Sequence, residues 1–260
     1  MRPLTINQQK LLQLVRSESV SRAHRAVERL NLSEVETRQF RAAKEKLDAA
    51  SLVHGIKLRY QYRDDLVIDS LLDIGRVMNL IEIGDFAGGI RDWNFRNRLL
   101  NEFKLYGGTR QAQMIMSQID DSERPSYGAL DYRGGYGSVA SLQSFGPYRF
   151  VLKPELKERS TFTPSDSFQV EGSQVYLWGT IEGVLATRLN ARYWYEYVLA
   201  GEEPHITEEG VHYIEAQIIG GFDLSDVVRL YYPGRDRRYH KFFTKLRRLE
   251  TEHGIELVFY

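Results

Sequence analysis

Glu215 and Gln217 stand two residues apart in HYIEAQIIGGFDL, His212 to Leu224. The segment reads as a β-strand closed by a glycine turn. Side chains alternate between the faces of a strand, so Tyr213, Glu215, Gln217 and Ile219 share one face. Ile214, Ala216 and Ile218 share the other, which must be the core face. Glu215 and Gln217 then face either solvent or a cleft. In a cleft, a carboxylate on rigid backbone can stabilise a developing positive charge or move a proton. On an open face, the two are ordinary half-exposed polar residues.

A second candidate lies in GIKLRYQYRDD, Gly55 to Asp65, where Ile56, Leu58, Tyr60 and Tyr62 alternate with Lys57, Arg59, Gln61 and Arg63. Two guanidiniums on one strand face suit a diphosphate, because each donates through a planar fork. The plain alternative is a solvated face paired with Asp64 and Asp65. The loop YRGGYGS, Tyr132 to Ser138, lacks the spacing of a P-loop or of a dinucleotide fingerprint and reads as a turn. TFTPSDS, Thr161 to Ser167, is dense in hydroxyls beside an acid, with no histidine close in sequence to complete a triad. The six histidines show no metal-ligand spacing. The basic run Arg235 to Arg248 reads mainly as the solvated face of a helix over Phe242, Phe243 and Leu246.

The elements that must position these residues fall into two parts. Residues 1–54 read as helical, with a capping box at Ser33 and Glu36. Residues 55–260 mix helices and strands. Strands are expected over Tyr127 to Leu130, Tyr148 to Leu152, Ser160 to Thr163, Val211 to Ile219, Val227 to Tyr231 and at the C-terminal IELVFY. Helices are expected at LVIDSLLDIGRVMNLI, at WNFRNRLLNEFKLYGG, from Thr180 to Ala200 with Gly201 past its end, and from Arg237 to Glu252. The expected class is α+β, a mostly antiparallel sheet with an N-terminal helical part.

Composition narrows the function. The 260 residues carry 35 basic and 35 acidic side chains, a net charge of zero that argues against a dedicated nucleic-acid binder. Cysteine is absent, which excludes disulfides and thiolate metal sites. No apolar run approaches a membrane span, and MRPLTINQQK shows no signal-peptide core. Sixteen tyrosines offer amphipathic surface for clefts and interfaces.

Three blocks carry a family resemblance: ERPSYGAL (Glu123 to Leu130), YRFVLKPELKERSTFTPSDS (Tyr148 to Ser167) and YIEAQIIG (Tyr213 to Gly220). GIKLRYQYRDD and IEIGDFAGG carry it more weakly. In that order, over residues 55–260, the chain resembles the uncharacterised-domain family of bacterial proteins that includes the CteC-type effectors. Those effectors are mono-ADP-ribosyltransferases that modify a threonine of host ubiquitin. The chain departs from the family in having Arg59 and Gln61 where histidines are common. It also lacks a serine-threonine-serine motif, whose place falls to Tyr127-Gly128-Ala129 or whose role falls to Ser160-Thr161.

The resemblance implies an ADP-ribosyltransferase-like split antiparallel sheet, NAD as the sugar donor and no metal. It implies Glu215 as the catalytic carboxylate, holding the ribose and stabilising its cation. Arg63, with Arg59 as alternate, would hold the diphosphate. Tyr127 is first choice to stack on nicotinamide, ahead of Phe162 and Trp93, with Gly128, Ser160 and Thr161 beside the cofactor. Arginine-modifying relatives carry a second glutamate two residues before the catalytic one. Here that position is Tyr213, which disfavours an arginine acceptor and favours a hydroxyl such as threonine. Gln217 is a supporting group on the acceptor side. Ubiquitin as acceptor, and secretion as an effector into the host cytosol, are implied in the same way, with neither nucleic acid nor membrane as partner. A non-catalytic protein-binding module that keeps the fold is the competing expectation.

Overall fold

The structure is a computed structural model. It describes residues 1–56, 67–77, 99–106, 110–134, 146, 148–170, 174–189, 191–204, 213–232 and 243–260.

The chain opens with two capped helices. In α1 (Ile6–Leu30), Thr5 and Gln8 form a reciprocal capping box, and Asn31 ends the helix in the left-handed region at φ 47°. In α2 (Glu34–Asp48), the expected box forms: Ser33 caps Glu36 N, and Glu36 returns to Ser33 N at 2.8 Å. Strand β1 (Ser51–Ile56) follows, so the sheet begins within the segment read from sequence as helical.

The other strands of the main sheet are β2 (Ser126–Asp131), β3 (Tyr148–Leu152), β4 (Ser160–Thr163), β5 (Tyr176–Leu177), β8 (Glu215–Ile218), β9 (Val227–Tyr232) and β10 (Glu256–Phe259). Their order across the sheet is β10-β9-β3-β1-β2-β8-β4-β5. Every pairing is antiparallel except β9 with β10, which is parallel. The α+β class expected from the pattern is therefore present, with a mixed sheet.

The sequence expectation for Thr180 to Ala200 is corrected. One continuous helix is replaced by a short helix (Glu182–Leu185), a two-stranded ribbon of β6 (Arg188–Leu189) and β7 (Arg192–Tyr193), and a second helix (Trp194–Ala200). The reason is burial. A continuous helix would carry Arg188 and Arg192 on the apolar stripe of Ile181, Val184 and Leu185. The break lets those residues and Trp194 be buried while Arg188 stays exposed. Gly201 ends the second helix at φ +69°, as expected. Of the strand read over Gly55 to Asp65, Gly55 and Ile56 are the last two residues of β1, and residues 57–66 lie outside those described.

The two faces of the sheet are packed differently. On one, Leu52, Ile56, Tyr148, Phe150, Phe162, Ile214, Ala216 and Ile218 join α2 and the later helices in the main core. On the other, Val53, Ala129 and Tyr213 form a small cluster. Beside it, Leu11 and Val15 of α1 pack with Leu105, Met116, Leu177 and Ile219. Between these apolar groups lies a layer of polar side chains.

Candidate functional site

Pairing register fixes which residues share the second face. Val151, Val53, Ala129, Glu215 and Thr163 are aligned across β3, β1, β2, β8 and β4. Two positions along, Arg149 pairs Gly55, while Tyr127, Gln217 and Thr161 are aligned. Directly opposed residues point the same way. Glu215, Gln217, Tyr127, Thr161, Thr163 and Arg149 therefore all stand on one face, against the core on the other.

Glu215 is 3% exposed, so the half-exposed reading of its strand does not hold. Both carboxylate oxygens are held. Tyr213 donates its hydroxyl to Oε2 at 2.7 Å. Gln217 Nε2 and the backbone N–H of Ser167 donate to Oε1 at 2.8 and 3.2 Å. Burial pushes the carboxyl up to about 7, reinforced by the charge of Asp166 and opposed by the bonds from Tyr213, Ser167 and Gln217. No lysine or arginine pairs with it among the described residues.

The network extends along β4 and onto the helical residues 99–105. Thr161 Oγ1 donates to Gln217 Oε1 at 2.8 Å, and Gln217 Nε2 also reaches Thr163 Oγ1 at 3.2 Å. Tyr106 lies 3.3 Å from Thr161 Oγ1, and burial holds its hydroxyl well above the usual range. Asn101 Nδ2 donates to Ser167 Oγ at 3.3 Å. A second buried carboxylate, Glu102, accepts from Arg124 Nη1 at 2.8 Å and from the Tyr127 hydroxyl at 3.1 Å. The two carboxylates differ in kind. Arg124 matches the charge of Glu102, whereas no cation among the described residues matches that of Glu215.

The sequence-predicted residues divide accordingly. Glu215, Gln217, Tyr213, Thr161 and Tyr127 converge on the polar layer. Phe162 and Ser160 point to the opposite face. Phe162 is fully buried in the main core against Trp178, and Ser160 Oγ donates to Leu156 O, so neither reaches the layer. The alternation of β4 imposes this, because Thr161 and Thr163 occupy the polar side. Gly128 is required by the sheet itself: a Cβ there would lie 2.4 Å from Val53 O. Arg59, Arg63 and Trp93 lie outside the described residues, as do residues 135–138 of the glycine loop and 235–242 of the basic run.

Sequence reasoning missed Asn101, Glu102, Tyr106, Arg124, Arg149 and Thr163. Of these only Thr163 left a signal, the hydroxyl density of TFTPSDS. The others are isolated polar residues whose burial is decided by tertiary packing. Among the described residues there is no cluster of three metal-ligating side chains, and no helix is long and apolar enough to cross a membrane.

A family profile described as "Protein of unknown function (DUF3626)" matches residues 52–209. This is more than half of the chain, so the chain belongs to that family. Thr161, Thr163 and Tyr127 fall inside the matched range, while Tyr213, Glu215 and Gln217 follow just beyond it. The chain is also 28% identical over 171 residues to the "Gene 2 protein" of Mycobacterium phage L5, a match covering 62% of this chain and 59% of the phage protein. It thus spans about three-fifths of the length of that curated relative.

Proposed function

We propose that this member of the DUF3626 family is an NAD⁺-dependent mono-ADP-ribosyltransferase acting on a hydroxyl acceptor. One observation carries the reading: Glu215 is a buried carboxylate, fixed at both oxygens on a central strand, with no cation among the described residues to match it. An unmatched buried charge is costly, and a ligand that develops positive charge beside it supplies the missing partner.

NAD⁺ as substrate supplies the ADP-ribosyl group: its bond to nicotinamide breaks, nicotinamide leaves with the bonding pair, and the acceptor oxygen takes its place. Glu215 provides the fixed negative charge for this loose transition state and accepts the proton the acceptor hydroxyl sheds. A carboxyl held near 7 exchanges a proton readily at neutral pH. Tyr213 and Gln217 keep the carboxylate in one orientation. Tyr213 is neutral and already committed to Glu215, so it offers no anion to a guanidinium, in keeping with a threonine rather than an arginine acceptor. Ubiquitin of a host cell, reached by a secreted effector, is the acceptor and setting to which the family resemblance points.

The closure of the layer favours one competing reading, a protein-binding module that keeps the fold without turnover. Incubation with labelled NAD⁺, ubiquitin and a cell lysate separates the two. Label transfer lost in a folded Glu215→Gln variant supports the transferase. Neither label nor NAD⁺ hydrolysis with the intact protein defeats it.

A further inference from the structure

Arg149 is 3% exposed, and its Nε is buried without a hydrogen-bond partner. Among the described residues the guanidinium makes no hydrogen bond and no ion pair. The other buried arginines have guanidinium partners, although Arg159 Nε is also unpartnered. Arg124 is clamped by Glu102 and Asp121, and Arg159 donates to two backbone carbonyls. A permanently cationic group removed from water without a partner costs several kcal/mol. Its retention calls for an anion that the described residues do not supply.

Its position says where that anion sits. Arg149 and Val151 share a strand face, and Val151 packs against Val53, Ala129 and Tyr213. This is the face that carries Glu215. The partner of Arg149 on β1 is Gly55, which has no side chain, and on β9 it is Tyr231, a neutral one. From β3 to β8 there are three strand spacings, roughly 14 Å. One face of the sheet thus holds, three strands apart, a cation and a carboxylate that no described residue matches. A ligand that complements both is anionic at one end and develops positive charge at the other.

We infer that Arg149 is the anion anchor of this site and takes the diphosphate of a nucleoside-diphosphate ligand. The inference rests on the proposed function for the nucleotide, but not for the anion. A guanidinium suits a diphosphate because its planar fork donates to two oxygens at once. Sequence reasoning placed this role on Arg59 and Arg63. Arg149 escaped it because YRFVL reads as a core strand with one polar residue.

Calorimetric titration of the full chain with ADP and with inorganic pyrophosphate tests it, using wild type, Arg149→Met, Arg149→Lys and Glu215→Gln. Wild type and Glu215→Gln should bind ADP alike. Arg149→Met should lose at least about tenfold in affinity, and Arg149→Lys should recover part of it. Pyrophosphate binding that is equally sensitive to Arg149 would support the anion site and assign it to phosphate alone. Thermal melting is the second readout. Removing an unpaired charge should leave the midpoint unchanged or raised, whereas a marked fall would show a structural partner and overturn the inference. So would equal ADP affinity in wild type and Arg149→Met, or no binding to wild type. NAD⁺ turnover with Arg149-independent binding would sink the anchor and leave the transferase standing. Arg149-dependent binding without turnover would do the reverse.

Discussion

The side-chain amide of Gln217 donates to Glu215 Oε1 at 2.8 Å from two residues further along the same strand. Its orientation is dictated by its neighbours. Thr163 uses its hydroxyl hydrogen on Ser165 O at 2.8 Å, so its oxygen must accept from Gln217. Thr161 donates to the amide oxygen, which leaves the NH₂ group for Glu215. Flipping the amide would set oxygen against oxygen at Glu215.

Gln217→Leu should therefore act on both stability and rate. It removes the bonds to Glu215, Thr161 and Thr163 and leaves the buried Thr163 oxygen without its donor, at a cost of about 1–3 kcal/mol for an unsatisfied group. Chemical denaturation reads the stability. In the NAD⁺ assay the maximal rate should fall more than substrate affinity, because the carboxylate loses its fixed orientation.

Glu215 should make stability fall as pH rises. Its folded-state value, about 7, lies above the ordinary 4.5 of a glutamic acid, so folding favours the protonated form. The contribution is fully present below about pH 4.5 and is lost as pH climbs through 7. The total is on the order of 3 kcal/mol at 1.36 kcal/mol for each pH unit. Glu215→Gln reproduces the neutral hydrogen-bond pattern, with an oxygen for Gln217 and Ser167 and an NH₂ for Tyr213. Urea melts at pH 5 and pH 8 should show the variant gaining on wild type at the higher pH. An equal gap at both would rule out Glu215 as the group responsible.

The same ionisation sets the expected pH profile of the proposed transfer. The rate should rise with pH through about 7 as the carboxylate forms, and then level off. A profile flat from pH 5.5 to 8.5 would remove Glu215 from the rate-limiting chemistry.

Arg124→Met removes the cation ion-paired with the buried Glu102 and should cost up to about 3–5 kcal/mol. Adding Glu102→Gln should recover much of it, since the amide oxygen can still accept from the Tyr127 hydroxyl. A double-mutant cycle by denaturant titration would show this as strong coupling.

Gly128→Ala should be disruptive beyond its size. The added Cβ would meet the Val53 carbonyl at 2.4 Å, where only backbone can yield. A loss of about 1–3 kcal/mol is expected, with Tyr127 displaced in the next position. Thermal melting and the near-ultraviolet tyrosine signal would report both.

Much of the frame was legible in the sequence because it is written in local pattern. The Ser33 capping box, the strands at Tyr148 to Leu152 and Ser160 to Thr163, and the split of β8 into an apolar and a polar side follow from spacing alone. What spacing could not show was depth. Glu215 and Gln217 sit on a polar side that a half-open strand would also have, and only the packing of residues 99–105 and 213 against the sheet buries them. The same limit explains Phe162, named as a ring donor for its chemistry although its parity on β4 sends it into the core. It explains Arg149 as well, whose neighbours on the face come from strands far apart in the chain.

Helix α1 lays Leu11 and Val15 against Val175, Leu177 and Ile219, and Ala23 of the same helix enters the main core. During synthesis it emerges before all of these partners, and Val175, Leu177 and Ile219 follow it by roughly 150–200 residues. At ribosomal rates of roughly 5–20 residues per second, it waits on the order of 10–40 seconds with its apolar stripe uncovered. The Thr5–Gln8 and Ser33–Glu36 boxes are local, so they can hold both helices wound through that interval. The α1 stripe is thus exposed to chaperones, and to aggregation, through that interval, and the polar layer closes only when β8 has arrived.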